Sequence, residues 1–209
     1  MERYKLYLFD FDGTLADSFE ALAMVFRRSF EAVGIKIKDE DVSWLSRVPL
    51  DESYAKLGAP EDKADLFIEK IKYYLHSEES VKLTKFFPDA LDFFERATKE
   101  GIKMGVVTSN EKRHVYDVLE NAGLPIDIFN VIVGSDECLE FKPKPDSVLM
   151  ALDKLDYKGS LDDVVYVGDS HNDYQCAINA KVNPILIVRD GRDTTGFNTI
   201  YKLTELLDF

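Results

Sequence analysis

Four aspartates, one lysine and a Thr-Ser-Asn triplet carry the chemistry open to this chain. Asp10 and Asp12 stand two residues apart after Leu6-Tyr7-Leu8-Phe9. That apolar run reads as a buried strand because it shows no polar alternation. Gly13 follows and supplies the backbone freedom for a tight exit. Thr108-Ser109-Asn110 ends a second apolar run, and Gly168-Asp169-Ser170-His171-Asn172-Asp173 ends a third. Lys142 lies in the loop Lys142-Pro143-Lys144-Pro145-Asp146 after another strand. Alone, Asp10 and Asp12 could simply cap a turn. Parallel strands change that reading, because their carboxyl ends share one rim and gather residues far apart in sequence.

Asp10, Asp12, Asp169 and Asp173 at one rim would resist joint ionisation. A divalent cation together with Lys142 would offset most of that charge. Hard oxygen donors, with no His or Cys set nearby, favour Mg²⁺ over zinc. Mg²⁺ commonly binds through one or two carboxylates plus a substrate phosphate. Acids, a lysine and hydroxyl donors around such an ion describe phosphoryl transfer.

The elements needed to position these groups are legible in order. A strand at about 5–10 precedes helical spacing at Phe19, Leu22, Ala23, Phe26, Phe30 and Val33, with Gly34 as a stop and Ser18 or Asp17 as a cap. Further helical patches run from Asp39 to Trp44 and from near Pro60, the latter with Ala64, Phe67, Ile68, Ile71 and Leu75 on one face. No strand is expected from Asp17 to about Lys85. Beyond Phe86, helices alternate with strands at 102–107, 129–133, 164–167 and 184–188, the last taken as the final core strand. The helix after Asn110 should turn Val115, Val118, Leu119 and Ala122 inward. This alternation implies an α/β fold with a doubly wound parallel sheet.

The chain of 209 residues suits one core domain with a modest insertion, and 45% hydrophobic content is normal for a buried core. A net charge of -13 argues against a nucleic-acid partner. It also means that a phosphate site needs its own local positive charge. Cys138 and Cys176 read as reduced thiols rather than a disulfide framework. With no signal peptide and no apolar run of membrane-spanning length, a cytoplasmic protein without a membrane partner is expected.

Asp10-Phe11-Asp12-Gly13-Thr14, Thr108-Ser109-Asn110, Lys142-Pro143-Lys144-Pro145-Asp146 and Gly168 to Asp173 together resemble the four motifs of the haloacid dehalogenase-like hydrolase superfamily, in its order and spacing. The helical segment resembles the small cap inserted after the first motif in its phosphoglycolate phosphatase and β-phosphoglucomutase branch. The resemblance implies a Rossmann-like core of residues 1–16 and 86–209 and a small α-helical cap of residues 17–85. It implies that Asp10 attacks phosphorus to form an aspartyl-phosphate, and that Asp12 serves as acid and then base. Mg²⁺ would be held by Asp10, Asp12 through its main-chain carbonyl, and Asp169, while Asp173 orients metal waters or Lys142. Thr108, the backbone amides around Ser109, and Asn110 would hold phosphate oxygens with Lys142, which also stabilises transition-state charge. The Lys-Pro-x-Pro-Asp pattern puts that lysine at Lys142 rather than Lys144. Asp12 argues against dehalogenation, because a leaving alkoxide needs an acid and a leaving halide does not.

The expected activity is Mg²⁺-dependent hydrolysis of a small phosphorylated metabolite. A phosphomutase, or a phosphometabolite-binding protein without turnover, remains an alternative, and monomer and homodimer are both open. Blander readings hold elsewhere: His171 as a loop residue beside the metal, His114 and His76 as surface or boundary residues, and Trp44 as packing. Arg47 is either a contact for the substrate's distal anion or a solvated arginine, and Lys112 and Arg113 carry the same two readings.

Overall fold

The computed structural model describes residues 4–45, 48–140, 142–189, 191 and 194–207. Arg47 lies outside them. Two compact units emerge, one of residues 1–17 and 86–209 and one of residues 18–85.

The larger unit is built on β1 (Leu6–Phe9) and β2 (Ala16–Asp17), and the chain returns to it at β3 (Lys85–Phe86). The smaller unit holds α1 (Phe19–Ala32), α2 (Asp39–Leu45), α3 (Leu50–Lys56), α4 (Ala64–Leu75) and α5 (Glu78–Leu83). The larger then continues with α6 (Pro88–Glu100), β4 (Lys103–Val107), α7 (Lys112–Asn121), β5 (Val131–Val133) and α8 (Asp146–Lys154). It ends with β6 (Val164–Gly168), α9 (His171–Asn179), β7 (Asn183–Ile187) and β8 (Thr199–Ile200).

Six strands form one sheet in the order β5-β4-β1-β6-β7-β8, and every pairing is parallel. The all-apolar burial of β1 fits its central place, flanked by β4 and β6. Leu6, Leu8, Val164 and Tyr166 face a core shared with Val148, Ala151 and Leu152 of α8 and Cys176 and Ala177 of α9. Tyr7 and Phe9 point the other way, onto Phe93 of α6 at ring distances of 5.6 and 5.2 Å. Both faces are therefore covered, and each large apolar side chain fully buried there stabilises the fold by about 1.5–3 kcal/mol. The helical unit has its own core, in which Phe67 packs 4.6 Å from Phe30 and 4.8 Å from Tyr54.

Several local expectations are corrected. Phe19 is 52% and Ile68 37% exposed, although their spacing put them inward, and Ala122 is exposed just beyond α7. Ser18 occupies the N-cap position of α1, but its side chain makes no capping hydrogen bond. Two-residue strands, β2 and β3, flank the helical stretch where no strand was expected. β7 is followed by the edge strand β8, too short to read as an apolar run. Trp44 packs against the helical core, with Lys56 Nζ 4.5 Å over its ring. Cys138 and Cys176 are free, and burial pushes the Cys176 thiol up to about 11. No helix among the described residues is long and apolar enough to cross a membrane.

Candidate active site

The ends of β1, β4 and β6 are neighbours because those strands are adjacent in the sheet. Asp10 continues β1, its amide donating to the Val167 carbonyl at 2.8 Å, and its carboxyl is almost wholly buried. The chain then folds back tightly. The amides of Leu15 and Ala16 both donate to the Phe11 carbonyl, and Gly13 adopts φ +77. A Cβ on Gly13 would lie 2.7 Å from Asp169 Oδ2, so glycine serves here both for its backbone conformation and for the close approach of that carboxylate.

Lys142 reaches into this rim with a side chain only 7% exposed. Its ammonium donates to Asp10 Oδ1 at 2.6 Å, Asp173 Oδ1 at 2.7 Å and the Tyr166 hydroxyl at 3.1 Å. Burial alone would lower the Lys142 pKa, but the charges of Asp10 and Asp173 outweigh it and hold the ammonium protonated well above its usual range. Burial pushes the Asp10 carboxyl well above its usual range, Lys142 opposes that shift, and Asp173 and Asp169 add to it. Asp173, 2.7 Å away, keeps the ammonium charged whatever the state of Asp10, and burial makes the Asp10 carboxyl the harder of the two acids to ionise without a metal. Lys144, by contrast, is 62% exposed and lies 3.9 Å from Glu140.

Asp173 is a committed group. Its Oδ2 accepts from the Ser170 amide at 3.1 Å and from the Ser170 hydroxyl, and its amide donates back to that hydroxyl at 3.2 Å, closing a capping box at the start of α9. Its Oδ1 is shared by Lys142 and Tyr166. Oxygens of Asp10, Asp169 and Asp173 lie within 4.8 Å of one another. Three carboxylates with one ammonium among them fit a hard divalent cation by charge and donor type.

Asp12 is half-buried and stands outside that carboxylate group. Its Oδ2 accepts the Asn110 side-chain amide at 2.5 Å, while Oδ1 is buried with no hydrogen-bond partner among the described residues. Thr108 is buried and its hydroxyl accepts the Asn110 amide at 3.0 Å, whereas Ser109 is exposed. The Thr108 amide is used by the Val133 carbonyl at 3.0 Å. Asn110 therefore faces Asp12 in this arrangement, and two of the three amides of the triplet are engaged.

His171 is exposed beside Phe197, and Arg113 is exposed 3.6 Å from Asp117. Lys112 Nζ lies 3.8 Å from Glu137. His76 is half-buried at the end of α4, but His114 is 1% exposed, edge-on to Phe11, and is no surface residue. Its spacing four residues before Val118 put it on the inward face of α7. Two further residues escaped the sequence reading. Tyr166 sits among the site charges from within β6, and Arg189 donates to the Thr14 carbonyl at 2.8 Å and to Asp89.

A parallel sheet with these groups at the ends of its central strands defines a class of hydrolase. The chain belongs to the haloacid dehalogenase-like hydrolase family, whose pattern it matches over residues 7–187. It is 27% identical over 204 residues to a pyrophosphatase, PpaX, of Oceanobacillus iheyensis, covering 96% of this chain and 92% of that protein. It is 30% identical over 195 residues to a phosphoglycolate phosphatase of Aliivibrio fischeri, covering 84% and 80% respectively. A crystal structure of a haloacid dehalogenase-like hydrolase from Bacteroides fragilis superposes with a TM-score of 0.86 at 29% identity, covering 98% of this chain and all of the other.

Proposed function

We propose that the protein is a Mg²⁺-dependent phosphatase that hydrolyses a small phosphorylated metabolite through an aspartyl-phosphate on Asp10. The observation that carries this reading is the buried ammonium of Lys142, 2.6 Å from Asp10 and 2.7 Å from Asp173 in a rim otherwise rich in carboxylates. It supplies the local positive charge that a phosphoryl group needs on an acidic protein.

Asp10 and Asp169, with the main-chain carbonyl of Asp12, would hold Mg²⁺, which when bound neutralises charge and polarises the phosphoryl group. Asp10 provides the nucleophilic oxygen, so one displacement becomes two easier ones. Asp12 gives a proton to the leaving oxygen and later takes one from the attacking water. Its partnerless Oδ1 supports that role, while Asn110 fixes the other oxygen. Lys142 and the Thr108–Asn110 turn receive phosphoryl oxygens, with Asp173 orienting Lys142. The helical unit of residues 18–85 is the proposed cap, the part that selects the substrate. Pyrophosphate and phosphoglycolate are the first substrates to try, because the chain is similar over most of its length to proteins named for them.

The test is phosphate release from a panel of phosphomonoesters and pyrophosphate with Mg²⁺, beside Asp10→Asn. Turnover that requires the metal and vanishes in the variant supports the reading. Failure to release phosphate from any member, or full activity in Asp10→Asn, rejects it.

A further inference from the structure

We propose that Tyr166 is a positioning residue for phosphoryl transfer, its hydroxyl being the second anchor that holds the Lys142 ammonium in place while the contact to Asp10 is exchanged. The inference rests on the phosphatase reading and deepens it.

Tyr166 lies in Val164–Gly168, a strand of valines apart from itself and the closing glycine, and is 1% exposed. Phenylalanine would fill the same apolar space without burying a hydroxyl, and a buried hydroxyl is costly unless it is bonded. The partners of this one are the Val107 carbonyl at 3.0 Å, Asp173 Oδ1 at 3.0 Å and Lys142 Nζ at 3.1 Å. Its single proton goes to Val107 or Asp173, and in either case a lone pair is left for the ammonium. Burial, with Asp173 adding to it, pushes the phenol well above its usual range, so it acts as a neutral dipole.

An ammonium has three protons. In Lys142 they meet Asp10 at 2.6 Å, Asp173 at 2.7 Å and Tyr166 at 3.1 Å, and the Val107 carbonyl is more distant at 3.4 Å. When the Asp10 carboxylate bonds to phosphorus it loses its charge, and the N–H that faced it is the one nearest the reacting atoms. That N–H turns to a phosphoryl oxygen. Asp173 and Tyr166 then fix the nitrogen from two directions. With phenylalanine at 166 Asp173 is the one close anchor left, the Val107 carbonyl lying 3.4 Å away, and the nitrogen is held less firmly. Misplacement of a catalytic group by a fraction of an ångström lowers kcat more than it weakens substrate binding.

Two measurements on the full chain test this. Kinetics with the best substrate of the panel compare wild type, Tyr166→Phe and Tyr7→Phe. The last removes another buried hydroxyl, 3.4 Å from the Leu206 carbonyl and on the opposite face of the sheet. Tyr166→Phe is expected to lower kcat about tenfold with KM changed by less than about twofold, and Tyr7→Phe to change neither. The second readout needs no substrate: the ¹⁵N ammonium signal of Lys142, assigned by its loss in Lys142→Arg. Its proton exchange with water should be slow in wild type and at least about tenfold faster in Tyr166→Phe. Unchanged kcat in Tyr166→Phe, an equal loss in Tyr7→Phe, or unchanged ammonium exchange overturns the proposal. Faster exchange in a protein that hydrolyses no ester supports the anchoring of Lys142 while rejecting the phosphatase reading.

Discussion

Asn110 donates its side-chain amide to Asp12 Oδ2 at 2.5 Å, joining two residues 98 positions apart. The Thr108 hydroxyl holds the Asn110 backbone amide at 3.0 Å, so the second motif orients the proposed acid of the first. Asn110→Ala should lower kcat by about 10–100-fold, less than the roughly 10²–10⁴-fold that a positioned acid–base group itself contributes. Asn110→Asp should cost more, because it sets a second carboxylate against Asp12. Wild-type kcat in Asn110→Ala, measured at saturating substrate, would reject this role.

Asp169 and Asp173 should separate in a metal titration. Asp173 already serves Lys142, Tyr166 and Ser170, whereas Asp169 lies beside Gly13 at the carboxylate cluster. Mg²⁺ at about 100 times its Kd should stabilise the wild type by about 2.7 kcal/mol, visible as a rise in Tm. Asp169→Asn should abolish that rise. Asp173→Asn should retain it and instead lose activity and the order of Lys142. Equal Tm gains in wild type and Asp169→Asn would remove Asp169 from the ligand set.

Gly13→Ala tests the close approach. The added Cβ would meet Asp169 Oδ2 at 2.7 Å, and φ +77 strains any side chain. Both effects act against the variant, with a destabilisation of about 1–3 kcal/mol. Thermal melts with and without Mg²⁺ should show a lower Tm and a smaller Mg²⁺ response. A variant that melts and responds like wild type contradicts the packing described.

The pH dependence of stability follows from Asp10. Its pKa is raised in the folded metal-free protein, first by burial. A raised pKa means that its contribution is fully present below the unfolded carboxyl value, about 3.9, and is lost as pH rises through the folded value. Without metal, the stability difference between wild type and Asp10→Asn should therefore move in favour of asparagine as pH rises from about 4 towards neutrality. Denaturant titrations at several pH values check the slope, and a difference that moves the other way would show that Lys142 dominates the site.

Much of this architecture was legible because it lies at strand ends. Apolar runs without alternation marked β1, β4 and β6, and the polar residues that close them are the ones the sheet brings together. Tyr166 was not legible, since a tyrosine inside a valine strand looks like core. The signal was its hydroxyl, three residues before Asp169 in a strand whose other side chains offer it no hydrogen-bond partner. Arg189 and Asp89 stand 100 residues apart and meet only through tertiary packing, beyond any periodicity. Phe19 and Ile68 were misplaced for the converse reason: spacing predicts a face, and the edge of that face is set by neighbouring helices.

The two faces of Asp173 have a consequence for the life of the chain before it is complete. One oxygen starts α9 through Ser170 and the other holds Lys142, itself 132 residues beyond Asp10. During synthesis the aspartate proposed as nucleophile emerges 132 residues before the counter-charge that makes it useful. The helix cap that orders that counter-charge follows later still. A nascent chain that stops between the two therefore carries the aspartate without its partners, and the proposed site is assembled only once Asp173 has been made.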